Sequence, residues 1–97
     1  MDEMIYYNEL YDLYGCLLTD KQREYFEEYY FNNLSFSEIA DNFNISRNAV
    51  FKQLHIVTDK LLEYEEKLKY YEKKKIIEKI ILIEKDEKIR EELEKLF

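Results

Sequence analysis

The apolar residues of this 97-residue chain recur at helical spacing along nearly its whole length. Between residues 4 and 17 they fall at alternating steps of three and four, which marks one buried face of a first helix. Thr19 and Gln22 have the spacing of a capping box and open a second helix, which Asn32 and Asn33 end. The pattern therefore predicts helices from the first residues onward.

Residues 34–55 have the pattern of a helix-turn-helix. Ser35 opens a capping box before a short helix over residues 36–42, and Ser46 can cap the helix that follows. Asn44 stands at the turn, where its tolerance for a left-handed backbone suits it. We expect five apolar side chains to form the small core shared by the two helices: Ile39, Phe43, Ile45, Val50 and Leu54.

The second helix of this motif has no evident end, because neither Gly nor Pro follows it. Its apolar residues continue in steps of three and four over nearly three heptads, which predicts a long helix with a coiled-coil-like seam. We expect this seam to form a homodimer, together with the apolar run at 76–83. The alternative is a seam that packs on the first helix of its own chain. The seam residues are Leu54, Val57, Leu61, Tyr64, Leu68 and Tyr71.

The C-terminal part of the chain continues this helical pattern with less regularity. A lysine run at 73–75 interrupts the seam, and residues 76–83 after it are rich in β-branched side chains. We expect a buried helix at 76–83, with a short strand as the alternative. Asp86 can cap a last helix. The apolar face of that helix would carry Ile89, Leu93 and Leu96.

These elements predict an all-α fold in a single domain over residues 1–97. A helix-turn-helix core would take residues 1–59, and residues 60–97 would form a helical extension for packing or dimerisation. Composition agrees, since the chain has no proline and a single glycine, Gly15. The single cysteine, Cys16, suits the cytoplasm, and we interpret it as a small buried apolar residue, with a reactive thiol as the alternative.

Charge is unevenly distributed along the chain. Residues 1–59 hold four Lys or Arg and eleven acidic residues and so carry the whole formal net charge of −7, while residues 60–97 hold eleven of each sign. An acidic half opposes binding to nucleic-acid phosphates, which draws on clustered basic side chains. The acidic start at residues 1–4 does not resemble a secretion signal, and no apolar run is long enough to span a membrane.

No residue pattern indicates an enzyme. The one histidine, His55, has no cysteine or carboxylate beside it at metal-ligand spacing, and a chain with one glycine has no glycine-rich phosphate loop. We therefore expect no catalysis, no cofactor and no metal site, and we interpret His55 as a helix-rim residue. The ten tyrosines are interpreted as core and half-buried rim residues, with a stacking platform for RNA bases as the alternative.

The helix over residues 46–57 has the place of a recognition helix. In a DNA-binding helix-turn-helix this element enters the major groove, and Arg, Asn, Lys and Gln can all hydrogen-bond to base edges. Phe51 has two interpretations: an exposed ring indicates a protein contact, whereas a ring packed on the first helix of the motif belongs to the core. The candidate residues for binding nucleic acid or a protein partner are Arg47, Asn48, Phe51, Lys52 and Gln53.

The motif resembles region 4 of bacterial sigma factors. The shared residues are Leu-Ser-x-x-Glu-Ile-Ala at 34–40, Ile-Ser-Arg at 45–47 and Ala-Val at 49–50, with Lys-Leu at 60–61 downstream. The sigma-type helix is strongly basic after the position of Val50, whereas this chain continues with Phe-Lys-Gln-Leu-His-Ile-Val-Thr-Asp. The departure removes the basic residues that would hold DNA.

Nearly the whole chain is similar to the YlxM family, helix-turn-helix proteins whose genes lie beside those of the signal recognition particle. The resemblance is carried by Leu-Thr-x-x-Gln at 18–22, Ser-Glu-Ile-Ala at 37–40, Ile-Ser-Arg-x-Ala-Val at 45–50 and Leu-Leu-Glu-Tyr-Glu-Glu-Lys-Leu at 61–68. It implies a sigma region 4-like helical bundle. It also implies an accessory or regulatory role in the signal recognition particle pathway, with the particle's GTPase or RNA as partner. A DNA-binding transcriptional regulator and a purely structural dimerisation module are the alternatives.

Overall fold

The computed structural model of the protein describes residues 3–97. Met1 and Asp2, which begin the acidic start of the chain, lie outside the described residues. The described part forms helices and no strand, so the predicted all-α fold is confirmed. Its α-helices are α1 (Glu3–Tyr14), α2 (Asp20–Phe26), α3 (Phe36–Phe43), α4 (Arg47–Leu68), α5 (Tyr70–Ile83) and α6 (Glu87–Glu94).

Two of these helices are extended by turns that differ from the α-helix, one more tightly and one more loosely wound. The predicted first helix ends in a 3₁₀ turn at Gly15–Leu17, and α2 continues as a π-helical turn at Glu27–Phe31. Within residues 3–97, no helix is both long and apolar enough to cross a membrane. The whole arrangement is elongated, with extents of 54 × 25 × 25 Å.

Capping boxes open α2 and α3 as the sequence predicts. Thr19 Oγ1 accepts the N–H of Gln22 at 3.1 Å, and the Gln22 side chain accepts the N–H of Thr19 at 2.9 Å. Ser35 and Glu38 make the same two bonds at 3.1 and 2.9 Å. These bonds pair amide groups that the first turn of a helix leaves free, so they fix where each helix begins.

The turn of the helix-turn-helix also follows the prediction. Asn44 ends α3 in the left-handed conformation, with φ at 56°. Ser46 Oγ then accepts the N–H of Ala49 at 3.0 Å and starts α4. At the other end of the chain, Asp86 caps α6. Each boundary is a local hydrogen-bonding choice, which is why the sequence alone can locate it.

The core consists of two clusters, and α4 contributes to both. The helix-turn-helix cluster buries Tyr25, Ile39, Ala40, Val50 and Leu54, with Phe43 and Ile45 packed at its edge, so the predicted motif core is confirmed. The α1 cluster joins α1, α2 and α4. Its buried residues are Leu10, Tyr11, Tyr14, Leu18, Phe26, Val57 and Leu61.

The seam of α4 lies inside this chain rather than on its surface. Leu54 belongs to the helix-turn-helix cluster. The seam therefore follows the alternative prediction, in which it packs within its own chain. The homodimer stays a prediction, and it would need another surface. The other five seam residues pack in or against the α1 cluster: Val57, Leu61, Tyr64, Leu68 and Tyr71.

The predicted extent of the long fourth helix is wrong, because the helix ends before Tyr71. α4 stops at Leu68, and Lys69 adopts a left-handed conformation with φ at 57° before α5 begins. A left-handed backbone costs a residue other than glycine about 1–2 kcal/mol. Neither Gly nor Pro imposes this break, so contacts from elsewhere in the fold must hold it.

Those contacts come from Glu65 and Tyr14. Glu65 Oε1 accepts the N–H of Tyr71 at 2.9 Å, and Oε2 accepts the N–H of Glu72 at 3.2 Å, so this carboxylate caps the start of α5. The Tyr14 hydroxyl donates to Glu65 Oε1 at 2.6 Å and accepts the N–H of Tyr70 at 3.0 Å. A side chain of α1 thereby fixes the end of α4.

The region at 76–83 is helical as predicted, but within a single chain it is not a buried helix. Ile76, Ile80, Leu82 and Ile83 are 52%, 40%, 84% and 78% exposed. The start of α5 still packs on α1, through Tyr71 and an ion pair between Lys75 and Glu9. Beyond Lys75, α6 covers only a part of the helix. This helical hairpin therefore presents aliphatic side chains to its surroundings.

Cys16 is exposed, so its predicted burial is also wrong. The buried residue of this 3₁₀ turn is Gly15. A Cβ at Gly15 would lie 3.2 Å from ring atoms of Tyr11, closer than an ordinary van der Waals contact. The turn thus brings its glycine against the ring and leaves the thiol of the next residue outside.

The tyrosines fill the core and its rim, as interpreted from the sequence. Tyr11, Tyr14 and Tyr25 are buried, and most of the others are half-buried. Burial, together with the hydrogen bond to Glu65, raises the pKa of Tyr14 from its usual 10.0 to about 12. Burial also raises the pKa of Tyr30 to about 12. The fold therefore favours the neutral phenols.

We expect alkaline pH to destabilise the protein because of these raised pKa values. The unfolded chain releases the phenolic protons near pH 10.0, whereas folded Tyr14 and Tyr30 hold theirs to about 12. The stability that these two neutral phenols contribute is thus fully present below about pH 10 and is lost as the pH rises toward about 12. Urea unfolding followed by circular dichroism across this range measures the slope. A Tyr30→Phe variant should show a shallower fall, and an equal slope in both proteins would contradict the assignment.

Candidate functional site

The first two turns of α4 carry the residues predicted to bind a partner. The cap at Ser46 and the buried side chains of Val50 and Leu54 fix the helix on the core and turn its opposite face outward. Of the predicted residues, only Gln53 is half-buried. The exposed ones are Arg47, Asn48, Phe51 and Lys52.

Phe51 is exposed aromatic surface rather than core. Its ring meets Phe36 of α3 edge-on, with centroids 6.1 Å apart, and His55 at 4.5 Å. Even so, 46% of Phe51 is exposed. The ring thus packs on the first helix of the motif, as the core interpretation expects, but it stays outside the buried core and offers an aromatic contact on the candidate surface.

The cations of this half are few and divided. Within residues 3–97, Arg47 and Lys52 form no ion pair, so both are free to meet a partner. On α2, Arg23 pairs with Asp20, and Lys21 Nζ lies 4.8 Å from the ring centroid of Phe43. If these two cations each contact a phosphate, the logarithm of DNA affinity would fall against the logarithm of salt concentration with a slope of about −2. A strong DNA binder makes about 6–10 phosphate contacts and has a correspondingly steeper slope.

An aromatic groove lies beside Phe51, between the starts of α1 and α3, the π-helical turn and the middle of α4. The sequence does not predict this groove, because its residues come from four separate elements. The nearest signal was the crowding of aromatic residues between positions 25 and 36. We define the aromatic groove by its rings, which are Tyr7, Tyr29, Tyr30, Phe36, Phe51 and His55.

His55 is exposed on α4, as a helix-rim residue would be. In the part of the chain that the structure describes, no group of three or more His, Cys, Asp or Glu side chains is placed to hold a metal ion. What the surface offers chemically is therefore aromatic rings, amide and cationic hydrogen-bond donors, and carboxylates, which are the means of recognising a partner.

Comparison with known proteins agrees with this motif. Residues 1–97 match the family model described as "Putative helix-turn-helix protein, YlxM / p13 like". A UPF0122 protein of Caldanaerobacter subterraneus subsp. tengcongensis is 51% identical over 67 residues, which are 69% of this chain and 57% of that protein. One from Shouchella clausii is 44% identical over 68 residues, 70% of this chain and 62% of that protein.

A UPF0122 protein of Staphylococcus aureus is 49% identical over 61 residues, 63% of this chain and 56% of that protein. The chain thus spans somewhat over half the length of the curated relatives that it matches. The identity is high enough for a common fold in the aligned part, and the family model covers the chain from end to end. The chain belongs to the YlxM / p13-like family of helix-turn-helix proteins.

Proposed function

We propose that this protein is a non-catalytic, cytoplasmic accessory protein of the signal recognition particle pathway. The resemblance to the YlxM family supplies the pathway, and the surface of α4 supports a protein partner within it. The observation that carries this choice is the exposed ring of Phe51 on a face with two free cations, in a half with a net charge of −7. Exposed aromatic rings are typical of protein interfaces. We therefore take the particle's GTPase as the partner and its RNA as the alternative.

Electrostatics favour a basic protein surface over a phosphate backbone. The acidic residues of the helix-turn-helix half would attract a basic RNA-binding protein and speed its association. The same residues would repel RNA or DNA. Glu27 accepts a hydrogen bond from Tyr11, and Glu28 accepts from Asn32 and Asn42, so these two acids also support the fold.

Exposed acids therefore make the better test of this attraction. A triple variant, Glu24→Gln, Asp41→Asn and Asp59→Asn, removes three exposed charges from the helix-turn-helix half. We expect its affinity for the particle's GTPase to fall about three- to tenfold at low salt, with a smaller loss at high salt. Fluorescence anisotropy of the labelled protein measures both affinities.

The matched control removes three exposed charges from α6 by Glu87→Gln, Glu91→Gln and Glu94→Gln. Its affinity is expected to equal that of the unmodified protein. Equal losses in both variants would mean that net charge alone attracts the GTPase. Binding to the RNA hairpin without the GTPase would make RNA the partner, and binding to neither would overturn the proposal.

A DNA-binding regulator remains the second candidate, because Arg47, Asn48 and Lys52 are exposed at the start of a recognition helix. The same anisotropy experiment includes a random DNA duplex at low salt. Duplex binding that is lost when Arg47 and Lys52 become Ala would favour this candidate. A homodimer would help it, since two half-sites add their contacts, and the exposed aliphatic residues of α5 are the surface we propose for dimerisation.

A further inference from the structure

The aromatic groove is lined by a row of rings, each of which contacts the next. Most neighbouring rings stand at steep angles, 64° between Tyr7 and Tyr30, 85° between Tyr30 and Tyr29, and 67° between Phe36 and Phe51. Tyr29 and Phe36 are tilted by 35°. The distances between successive centroids are 6.0 Å for Tyr7–Tyr30, 4.9 Å for Tyr30–Tyr29, 5.3 Å for Tyr29–Phe36, 6.1 Å for Phe36–Phe51 and 4.5 Å for Phe51–His55.

Rigid local structure holds these rings in place. The π-helical turn supplies Tyr29 and Tyr30, and turns of this kind are rare and often found at functional sites. The capping box of α3 fixes Phe36 as the first residue of its helix. Leu54 and Thr58 of α4 also line the groove and are buried. The groove is thus formed before any partner arrives, which lowers the entropic cost of binding.

The groove is also acidic. Glu3 lines it, and none of its described lining residues is Lys or Arg. After burial, the nearby carboxylates of Glu3 and Asp59 raise the pKa of the Tyr7 hydroxyl, and Glu3 contributes to the raised pKa of Tyr30. Glu3 therefore places a negative charge in the lining of the groove, and Asp59 adds a second one near Tyr7.

We propose that the aromatic groove binds the cationic side chain of an arginine or lysine that projects from a protein partner. Ring faces attract a cation within about 6 Å of their centroids, and a carboxylate at the rim adds to that attraction. Arginine fits better than lysine, because its planar guanidinium stacks on rings while it pairs with a carboxylate. An RNA base could also stack here, but its phosphates would meet Glu3.

This inference rests on the proposed function, for which it names the chemistry that is recognised. The basic partner would be held in two ways: by the general attraction of the acidic half, and by one anchoring side chain in the groove. Anchors of this kind, aromatic residues paired with arginine, dominate the energy of many interfaces.

The test uses a fluorescein-labelled peptide of alternating arginine and serine. A matched peptide carries citrulline, which keeps the shape of arginine and lacks its charge. Phe51→Leu removes one ring and keeps an apolar side chain, and Phe97→Leu is the control, since Phe97 is 49% exposed and lies outside the groove. Glu3→Gln is paired with Asp12→Asn, another exposed acid of α1.

We expect the arginine peptide to bind and the citrulline peptide to bind much more weakly. Phe51→Leu is expected to weaken arginine-peptide binding by about three- to thirtyfold, the range for loss of a cation–π contact. Glu3→Gln is expected to weaken it by up to about fivefold, the range for loss of an exposed ion pair. Phe97→Leu and Asp12→Asn are expected to leave it unchanged. Circular dichroism of each variant checks that the helices are intact.

Equal binding of the two peptides, or equal losses in Phe51→Leu and Phe97→Leu, would overturn the inference. So would an RNA oligonucleotide that needs Phe51 while the arginine peptide does not bind. If the GTPase binds but is unaffected by Phe51→Leu, the groove is wrong and the proposed function stands. If the peptide needs Phe51 but the GTPase does not bind, the groove stands and the proposed function fails.

Discussion

Replacing Leu61 by alanine is expected to lower the free energy of unfolding by about 2–5 kcal/mol. Leu61 is 0% exposed and packs in the α1 cluster. Its truncation removes buried apolar surface and leaves a cavity between α4 and α1, and both effects cost stability. Leu62, the next residue, is 38% exposed, so Leu62→Ala is the matched control and is expected to cost under about 1 kcal/mol. Urea unfolding followed by circular dichroism measures both.

The same experiment separates core packing from a dimer seam. A seam used between two chains makes stability depend on protein concentration, because dissociation accompanies unfolding. The loss caused by Leu61→Ala is expected to be the same at low and at high protein concentration. If a dimer forms through α5, its concentration dependence would appear equally in both proteins. A Leu61→Ala protein that unfolds like the unmodified one when dilute, and differs only when concentrated, would return the seam to an interface between chains.

Local features of this fold are those that the sequence could predict. The capping boxes at Thr19 and Ser35, the left-handed Asn44 and the cap at Ser46 each involve residues within a few positions of one another. The core of the helix-turn-helix follows from the same short spacing. Such features depend on intrinsic backbone preferences and on hydrogen bonds closed within one turn, so a single sequence contains what is needed to locate them.

Features that depend on distant contacts could not be predicted in this way. Heptad spacing across residues 54–71 favours one continuous helix, whereas the break after Leu68 involves the Tyr14 hydroxyl, which bonds to Glu65 and to the N–H of Tyr70, 51 and 56 positions away. The exposure of 76–83 follows from that break. β-branched, apolar residues there predicted burial, because the sequence does not show in which direction α5 leaves the bundle.

The candidate site divides along the same line. The exposed face of α4 could be predicted, since Val50 and Leu54 mark the buried face and helical geometry places Arg47 and Phe51 opposite. The aromatic groove could not, because it needs the packing of Tyr7 from α1 against Tyr30 from the π-helical turn. Its aromatic residues carry no spacing signal that distinguishes a groove from a core.

The break between α4 and α5 is expected to depend on the carboxylate of Glu65. In Glu65→Gln, the amide retains one acceptor oxygen for three donors, which are the Tyr14 hydroxyl and the N–H groups of Tyr71 and Glu72. Because hydrogen bonds to a charged group contribute about 1.5–3 kcal/mol, we expect a loss of that size in the free energy of unfolding. Glu66→Gln is the control at an exposed neighbour, with an expected change within about 0.5 kcal/mol.

A distance measurement shows whether the helix also straightens. Spin labels at Glu63 and Lys79, both exposed, lie on either side of Lys69. Without the Glu65 carboxylate, the left-handed Lys69 loses its support, and the heptad pattern favours one helix. The distance between the labels is then expected to change to the value of a continuous helix, in which residues 63 and 79 lie about 24 Å apart along the axis on nearly opposite faces. An unchanged distance, with Glu65→Gln as stable as Glu66→Gln, would mean that residues 68–70 set the break by themselves and that Tyr14 and Glu65 merely follow it.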